Sequence, residues 1–160
     1  MKILEKWFQN LQEIREELID TVQNMTENEL NWVPKEGMKS AKSLLIEIAA
    51  GEIWLDSFLT NPGEKLSWKE AFKQVKGNDL PSLLSELASL RQKTITIFSQ
   101  YTENELFEEK QWPNDPEKTF SPEETMRYLI QHEYYHLGQL IYNRWIQGHN
   151  PYKTGNLTSG

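Results

Sequence analysis

Two histidines four residues apart give this sequence its clearest chemical signal. His132 and His136 lie in the segment His-Glu-Tyr-Tyr-His, and on a helix this spacing places both imidazoles on one face, where they can bind one metal ion. The chain has only three histidines, so composition alone does not explain the pair. A lone histidine in such a helix is usually a satisfied core residue, whereas the pair indicates a metal site.

The same segment matches the HExxH motif of zinc proteases, in which the glutamate activates water. Those enzymes take a third ligand downstream, but no aspartate or glutamate follows His136, and the one later histidine, His149, lies beyond the predicted helix. Gly138 also comes one residue too early for the extended motif. We therefore do not expect a protease. Glu133 is predicted to be a surface acid, about 100° around the helix from His132.

The histidines belong to the last helix, whose ends are well marked. Ser121 is the predicted N-cap, Pro122 follows in the first turn, and Glu124 completes a capping box. The helix should end at Gln147, before Gly148. Apolar residues cover most of its circumference, and we expect its one polar stripe to face an internal site. The stripe consists of Tyr128, His132, His136, Gln139 and Asn143.

A third ligand is expected from the second long helix, where Glu47 is the candidate. It shares a line with Leu44 and Trp54 at the apolar border, where an unpaired carboxylate is costly. A salt bridge to a lysine or arginine, or a position at the exposed rim, are the alternatives. Two histidines and one carboxylate suit zinc, nickel, iron or manganese, and the absence of cysteine excludes a thiolate site.

The remaining periodicity is helical throughout, and no stretch reads as a strand. The fold class is therefore all-α: a four-helix bundle with a short extra helix between the second and third long helices. The predicted helices run over 4–22, from Ser40 to before Asn61-Pro62-Gly63, within 67–75, from about Asp79 to 101, and over 122–147.

A short repeat relates the two halves of the chain. Thr-Glu-Asn-Glu-Leu occurs at 26–30, after the first helix, and again at 102–106, after the third. Aligning the two halves places Glu47 where His132 falls. Because only five residues match, a two-helix unit used twice and a chance similarity both remain open.

Length and charge restrict the class of protein. A chain of 160 residues fits one domain, predicted at 1–148, with a flexible C-terminal tail at 149–160. Its 24 acidic and 17 basic residues give a net charge of −7, which argues against nucleic acid and anionic membranes as partners. No segment approaches a membrane span, so we expect a cytoplasmic protein.

Three segments together resemble the DinB-like family of four-helix-bundle metalloproteins, over residues 1–148. They are Asn31-Trp32-x-Pro34, the position of Glu47 with Glu52 five residues later, and His132-x-x-x-His136-x-Gly138-Gln139. The family carries three histidines around a divalent metal. The resemblance makes His132 and His136 two of these ligands, and the first family histidine falls at Glu47, which is a departure from the pattern. It also implies a homodimer and, in bacillithiol- and mycothiol-dependent relatives, a metal that activates a small thiol.

Two function classes follow. In the first, the protein is a metal-dependent hydrolase or thiol S-transferase, whose metal lowers the pKa of a bound water or thiol. In the second, it is a non-catalytic metal-binding or dimeric interaction protein with a structural or vestigial site. No further acid or base is required beside the metal, so no catalytic residue is assigned. The last helix has more apolar circumference than three neighbours can cover, which also predicts a homodimer.

Overall fold

A computed structural model describes residues 2–61, 66–112 and 115–150, and the structural statements below concern these ranges. The predicted tail beyond residue 150, and Pro62 and Gly63 of the expected helix stop, lie outside them. The elements in chain order are α1 (Lys2–Val22), α2 (Glu27–Asn31), α3 (Ala41–Thr60), α4 (Trp68–Gln74), α5 (Leu80–Phe98), α6 (Glu103–Leu106), β1 (Lys110–Trp112), β2 (Asp115–Phe120) and α7 (Pro122–Ile146).

The four long helices α1, α3, α5 and α7 form a bundle, as predicted. α3 packs against α5 and α7, and α1 packs against α7 and α5. Leucines at helical spacing on each helix meet in the core and have no exposed surface; examples are Leu11, Leu45, Leu87 and Leu140. α4 is the short extra helix expected between the second and third long helices. None of the described helices combines the length and apolar content that a membrane span requires.

Local sequence determines where the helices begin and end. Thr26 and Thr102 each form a capping box with the glutamate three residues later, so both copies of the five-residue repeat form one capped helical turn. Ser121 and Glu124 form the capping box predicted for α7. After α7, Gly148 has a φ of 85°, a left-handed conformation that glycine adopts without strain.

A two-stranded hairpin corrects the expectation that the chain has no strand. β1 and β2 pair antiparallel, with Lys110 opposite Phe120 and an irregular register after Gln111. The strands have three and six residues, too few for an alternating pattern to stand out. An isolated hairpin is marginally stable, and this one packs on α3, where the Phe58 ring lies 4.5 Å from Trp112 and 5.4 Å from Phe120 between centroids.

A buried network of four charged side chains links the four long helices, and each helix supplies one member. Arg15 Nε donates to Glu133 Oε1 at 2.6 Å and its Nη2 to Glu52 Oε2 at 3.1 Å. Arg91 Nε donates to Glu52 Oε1 at 2.8 Å, and its Nη2 donates to Glu133. The prediction of a surface-exposed Glu133 is therefore wrong, because this side chain is 1% exposed and bound by two arginines.

The Nη1 groups of the two arginines also have hydrogen-bond acceptors. Arg15 Nη1 donates to the Leu87 carbonyl at 2.7 Å, and Arg91 Nη1 donates to the Leu11 carbonyl at 3.0 Å. Burial alone would raise the pKa of Glu133, but the charges of Arg15 and Arg91 lower it below its usual value. Glu133 is thus an ionised cross-link, and it fixes the rotation of α7 about its own axis.

Candidate metal centre

The bundle brings together the three residues that the sequence suggests as metal ligands. α3 supplies Glu47 and α7 supplies His132 and His136, and one candidate ligand atom from each lies within 4.8 Å of the others. The two histidine Nε2 atoms are 3.1 Å apart, and Glu47 Oε1 lies 3.9 Å from His136 Nε2. The third histidine, His149, instead places its Nε2 2.5 Å from Glu29 Oε1.

These distances and donor types are compatible with a divalent ion. Two imidazole nitrogens bound tetrahedrally at ordinary metal–nitrogen lengths are about 3.3 Å apart, close to the 3.1 Å observed here. Nitrogen and carboxylate donors suit zinc, nickel, iron and manganese. The residues present therefore fit a metal of the kind expected.

His136 is held in the tautomer that a ligand needs. Its Nδ1 lies 2.8 Å from Gln139 Oε1, one turn further along α7. Because an amide oxygen can only accept a hydrogen bond, Nδ1 carries the proton and Nε2 is left with its lone pair facing His132. The side chain is buried, so water does not compete for this arrangement.

His132 is positioned by close packing. Its ring stacks on Tyr128, 5.7 Å between centroids and 15° between planes, and meets the edge of Trp68 at 5.9 Å. A Cβ atom at Gly51 would lie 2.8 Å from His132 Cε1, so this ring requires a glycine on the facing helix. Burial and the neighbouring His136 lower the pKa of His132 to about 4, which keeps it neutral, the form that binds metal.

Glu47 has partners on both of its oxygens. Oε1 is the atom near His136, while Oε2 accepts from Lys39 Nζ. The Glu47 side chain is 15% exposed. The salt bridge that the sequence left open as an alternative to metal ligation is therefore present, and it leaves one carboxylate oxygen on the histidine side.

The three side chains lie at the wall of a cleft of about 800 Å³. The whole polar stripe predicted for α7 lines it, together with apolar and aromatic groups from the loop before α3 and from α4. Gly138 is also part of the wall, and no atom lies within 4 Å of the position of an added Cβ. The lining residues include Pro34, Met38, Leu44, Trp68, Tyr135 and Tyr142. Volumes of this size are typical of small-molecule sites.

Several residues that shape the site were missed from the sequence, although some left a signal. Arg15 stands on the apolar stripe between Leu11 and Leu18, and Arg91 stands one turn after Leu87, and a charge on such a stripe indicates a buried pair. Gly51 lies one turn after Glu47 on the same face of α3. Lys39 left no signal, since it lies in a loop.

Comparison with known proteins identifies similar folds. A sequence model of the DinB family matches residues 1–154. YfiT from Bacillus subtilis, described as a probable metal-dependent hydrolase with an unusual four-helix bundle topology, is 17% identical with a TM-score of 0.72, covering 91% of this chain and 88% of its own.

Two further solved structures are similar to this chain. The DinB-like protein YjoA from Bacillus subtilis is 17% identical with a TM-score of 0.67, over 90% of this chain and 93% of its own. A conserved protein from Enterococcus faecalis is 20% identical with a TM-score of 0.70, over 92% and 99%. At these identities the likeness shows the fold. The comparison with curated proteins found no match.

Proposed function

We propose, since the chain belongs to the DinB family, that it binds a divalent metal through His132, His136 and Glu47 and uses it as a hydrolase or thiol S-transferase. One observation carries the proposal: two imidazole Nε2 atoms 3.1 Å apart, with a carboxylate oxygen 3.9 Å from one of them, line an open cleft. The relative YfiT is itself described as a probable metal-dependent hydrolase.

A divalent ion at this site supplies Lewis acidity, which lowers the pKa of a water or thiol that it binds. The chain's own residues orient the substrate. Trp68, Tyr135 and Tyr142 give the cleft an apolar lining that can hold the carbon skeleton of a small molecule. Burial and the charge of Glu47 raise the pKa of the Tyr128 phenol, so Tyr128 keeps its proton at neutral pH and can donate it in a hydrogen bond to a substrate oxygen.

Glu133 does not take the base role that HExxH enzymes give it. Both of its oxygens accept from arginines in the core, and it is absent from the residues that line the cleft. Because Glu133 is held in the core, a metal bound by His132, His136 and Glu47 would supply the activated water or thiol without this glutamate.

A non-catalytic metal-binding or interaction protein is the second candidate function. The observation that favours it is the ion pair of Glu47 with Lys39, because a vestigial site can retain its carboxylate as a salt bridge. In either case we propose a homodimer, since large apolar and aromatic side chains stay exposed along α7.

Metal analysis of protein purified without an affinity tag tests the proposal. We expect one equivalent of a divalent metal per chain, lost in His136→Ala and kept in the matched control His149→Ala, with native helix content in both. The loaded protein should then turn over members of a panel of esters, or of thiols with an electrophilic acceptor. Loaded protein that is inert across the panel favours the second candidate. A protein that binds no metal in titration contradicts the proposed metal-dependent activity and is compatible only with a vestigial site.

A further inference from the structure

We propose that Lys39 is a positioning residue of the metal centre, which holds one oxygen of Glu47 so that the other stays directed at the histidines. The inference rests on the proposed function, because it concerns how Glu47 is presented to a metal. It assigns a role to a loop residue that is not itself a ligand: a protonated lysine has three donors and no acceptor.

The two carboxylate oxygens of Glu47 serve different partners. Oε2 accepts from Lys39 Nζ, and Oε1 lies 3.9 Å from His136 Nε2. The terminal torsion of a glutamate has a broad, nearly two-fold profile, so the carboxylate needs an anchor to keep one orientation. Lys39 is the cation that contacts Glu47 in the described part of the chain, and the other contact of this carboxylate is the histidine.

The backbone around Lys39 is itself fixed, which makes it a suitable anchor. A turn precedes it, with Met38 N bonded to the Lys35 carbonyl at 3.0 Å and Gly37 at a φ of 83°. Directly after it, the Ser40 side chain caps α3 by accepting from Ser43 N at 3.2 Å. The backbone of Lys39 is thus held in place just before the N-terminus of α3. Its side chain reaches Glu47, about two turns into that helix.

The exposed fractions of the Lys39 and Glu47 side chains indicate whether Lys39 should strengthen or weaken metal binding. The Lys39 side chain is 53% exposed, so water screens its repulsion of a nearby metal ion. The Glu47 side chain is only 15% exposed and would lose rotamer freedom on binding if nothing held it beforehand. Side chains that orient a metal ligand in this way typically contribute 10–100-fold to affinity. Removing Lys39 should therefore weaken metal binding.

Calorimetric titration of full-length protein with Zn²⁺ tests this. Lys39→Met should weaken binding by about tenfold or more, and Lys39→Arg should restore most of it. The matched control is Lys35→Met, which alters an exposed lysine of the same loop that does not line the cleft and should bind like the parent. All variants should keep native helix content by circular dichroism.

The same substitution in a Glu47→His background gives a second readout. An imidazole offers no anionic oxygen to a lysine, so Lys39→Met should not weaken zinc binding there. Lys39→Met that binds as tightly as the parent, or that causes the same loss in both backgrounds, would overturn the inference while leaving the proposed function intact. A parent that binds no zinc would overturn the proposed function and the inference with it.

Discussion

Glu133 and His132 are neighbours in sequence, but their side chains lie in different environments, the bundle core and the cleft. His132 lines the cleft, whereas Glu133 is 1% exposed and bound by Arg15 and Arg91 in the bundle core. The rotation of α7 that directs its imidazoles into the cleft is thus the rotation that places this carboxylate between two arginines. The candidate metal site and the ionic cross-link therefore lie on different faces of α7.

The first prediction concerns this cross-link. Glu133→Gln keeps the size of the side chain but leaves two buried guanidinium groups without part of their compensating charge, so it should lower the free energy of unfolding by about 3–5 kcal/mol. Urea unfolding followed by circular dichroism measures this. Glu123→Gln, at an ion pair with the half-exposed Arg127, is the control and should change stability by less than about 1 kcal/mol. Equal effects of the two substitutions would contradict a structural role for Glu133.

Alanine substitutions at Gly51 and Gly138 provide a test variant and its matched control for the packing of His132. An alanine at Gly51 would place its Cβ 2.8 Å from His132 Cε1, whereas one at Gly138 meets nothing within 4 Å. Gly51→Ala should therefore displace His132 and weaken zinc binding by about tenfold or more. Gly138→Ala should bind zinc normally and gain up to about 1 kcal/mol of helix stability. Zinc titration and thermal unfolding of both variants measure these effects. Normal zinc binding by Gly51→Ala would contradict the packing of His132 against Gly51.

The outcome at these glycines also shows what could be read from the sequence. The helix ends could be predicted because capping residues act within one turn, as at Ser121 and Glu124. The approach of Glu47 to the histidines could be predicted because helical spacing fixes which side chains share a face. The environment of Gly138 could not be predicted, since only the assembled bundle shows that this position lies in the cleft wall with no atom near an added Cβ.

The environments of Glu133 and of the hairpin could not be predicted because they depend on contacts between segments distant in sequence, as when Arg15 reaches Glu133 across the bundle and Trp112 packs on Phe58. Lys39 was missed for another reason, since it lies in a loop, where no helical period indicates its partner. Periodicity within one helix cannot show which buried charge meets which, although Arg15 and Arg91 on apolar stripes indicate that some pairing exists.

Asp56 makes stability depend on pH in a defined direction. Its Oδ2 is buried without a hydrogen bond in the described residues, and burial raises its pKa from 3.8 to about 7. Between these values the folded protein keeps a proton that the unfolded chain has lost, so this group destabilises the fold as pH rises. Asp56→Asn removes the effect while its Oδ1 still accepts from Thr94.

The difference in unfolding free energy between Asp56→Asn and the parent should therefore grow between pH 4.5 and 7.5, by on the order of 2–4 kcal/mol in favour of the variant. Urea unfolding at a series of pH values measures it. Taking the difference between the two proteins cancels the contributions of other groups. A difference that stays constant with pH would show that Asp56 is ionised in the fold at every pH tested.

The exposed aromatic side chains of α7 predict self-association. Tyr134 and Trp145 are 53% and 49% exposed and, eleven positions apart, lie within about 20° of one line on the helix. We expect light scattering at micromolar concentration to give twice the chain mass of 18.9 kDa. Tyr134→Glu should shift the protein toward the single-chain mass, because it buries a charge in an interface. A parent mass near 18.9 kDa would contradict the prediction.

Zinc affinity of Glu47→Gln is the most direct test of the central claim that Glu47 completes the site with His132 and His136. The variant keeps the size of the side chain and loses its charge, so we expect at least about a tenfold loss of affinity with native helix content. Glu47→His should restore binding, with a preference for softer divalent ions such as zinc. A Glu47→Gln protein that binds zinc as tightly as the parent would contradict the account, because it would reduce Glu47 to the salt-bridge partner of Lys39.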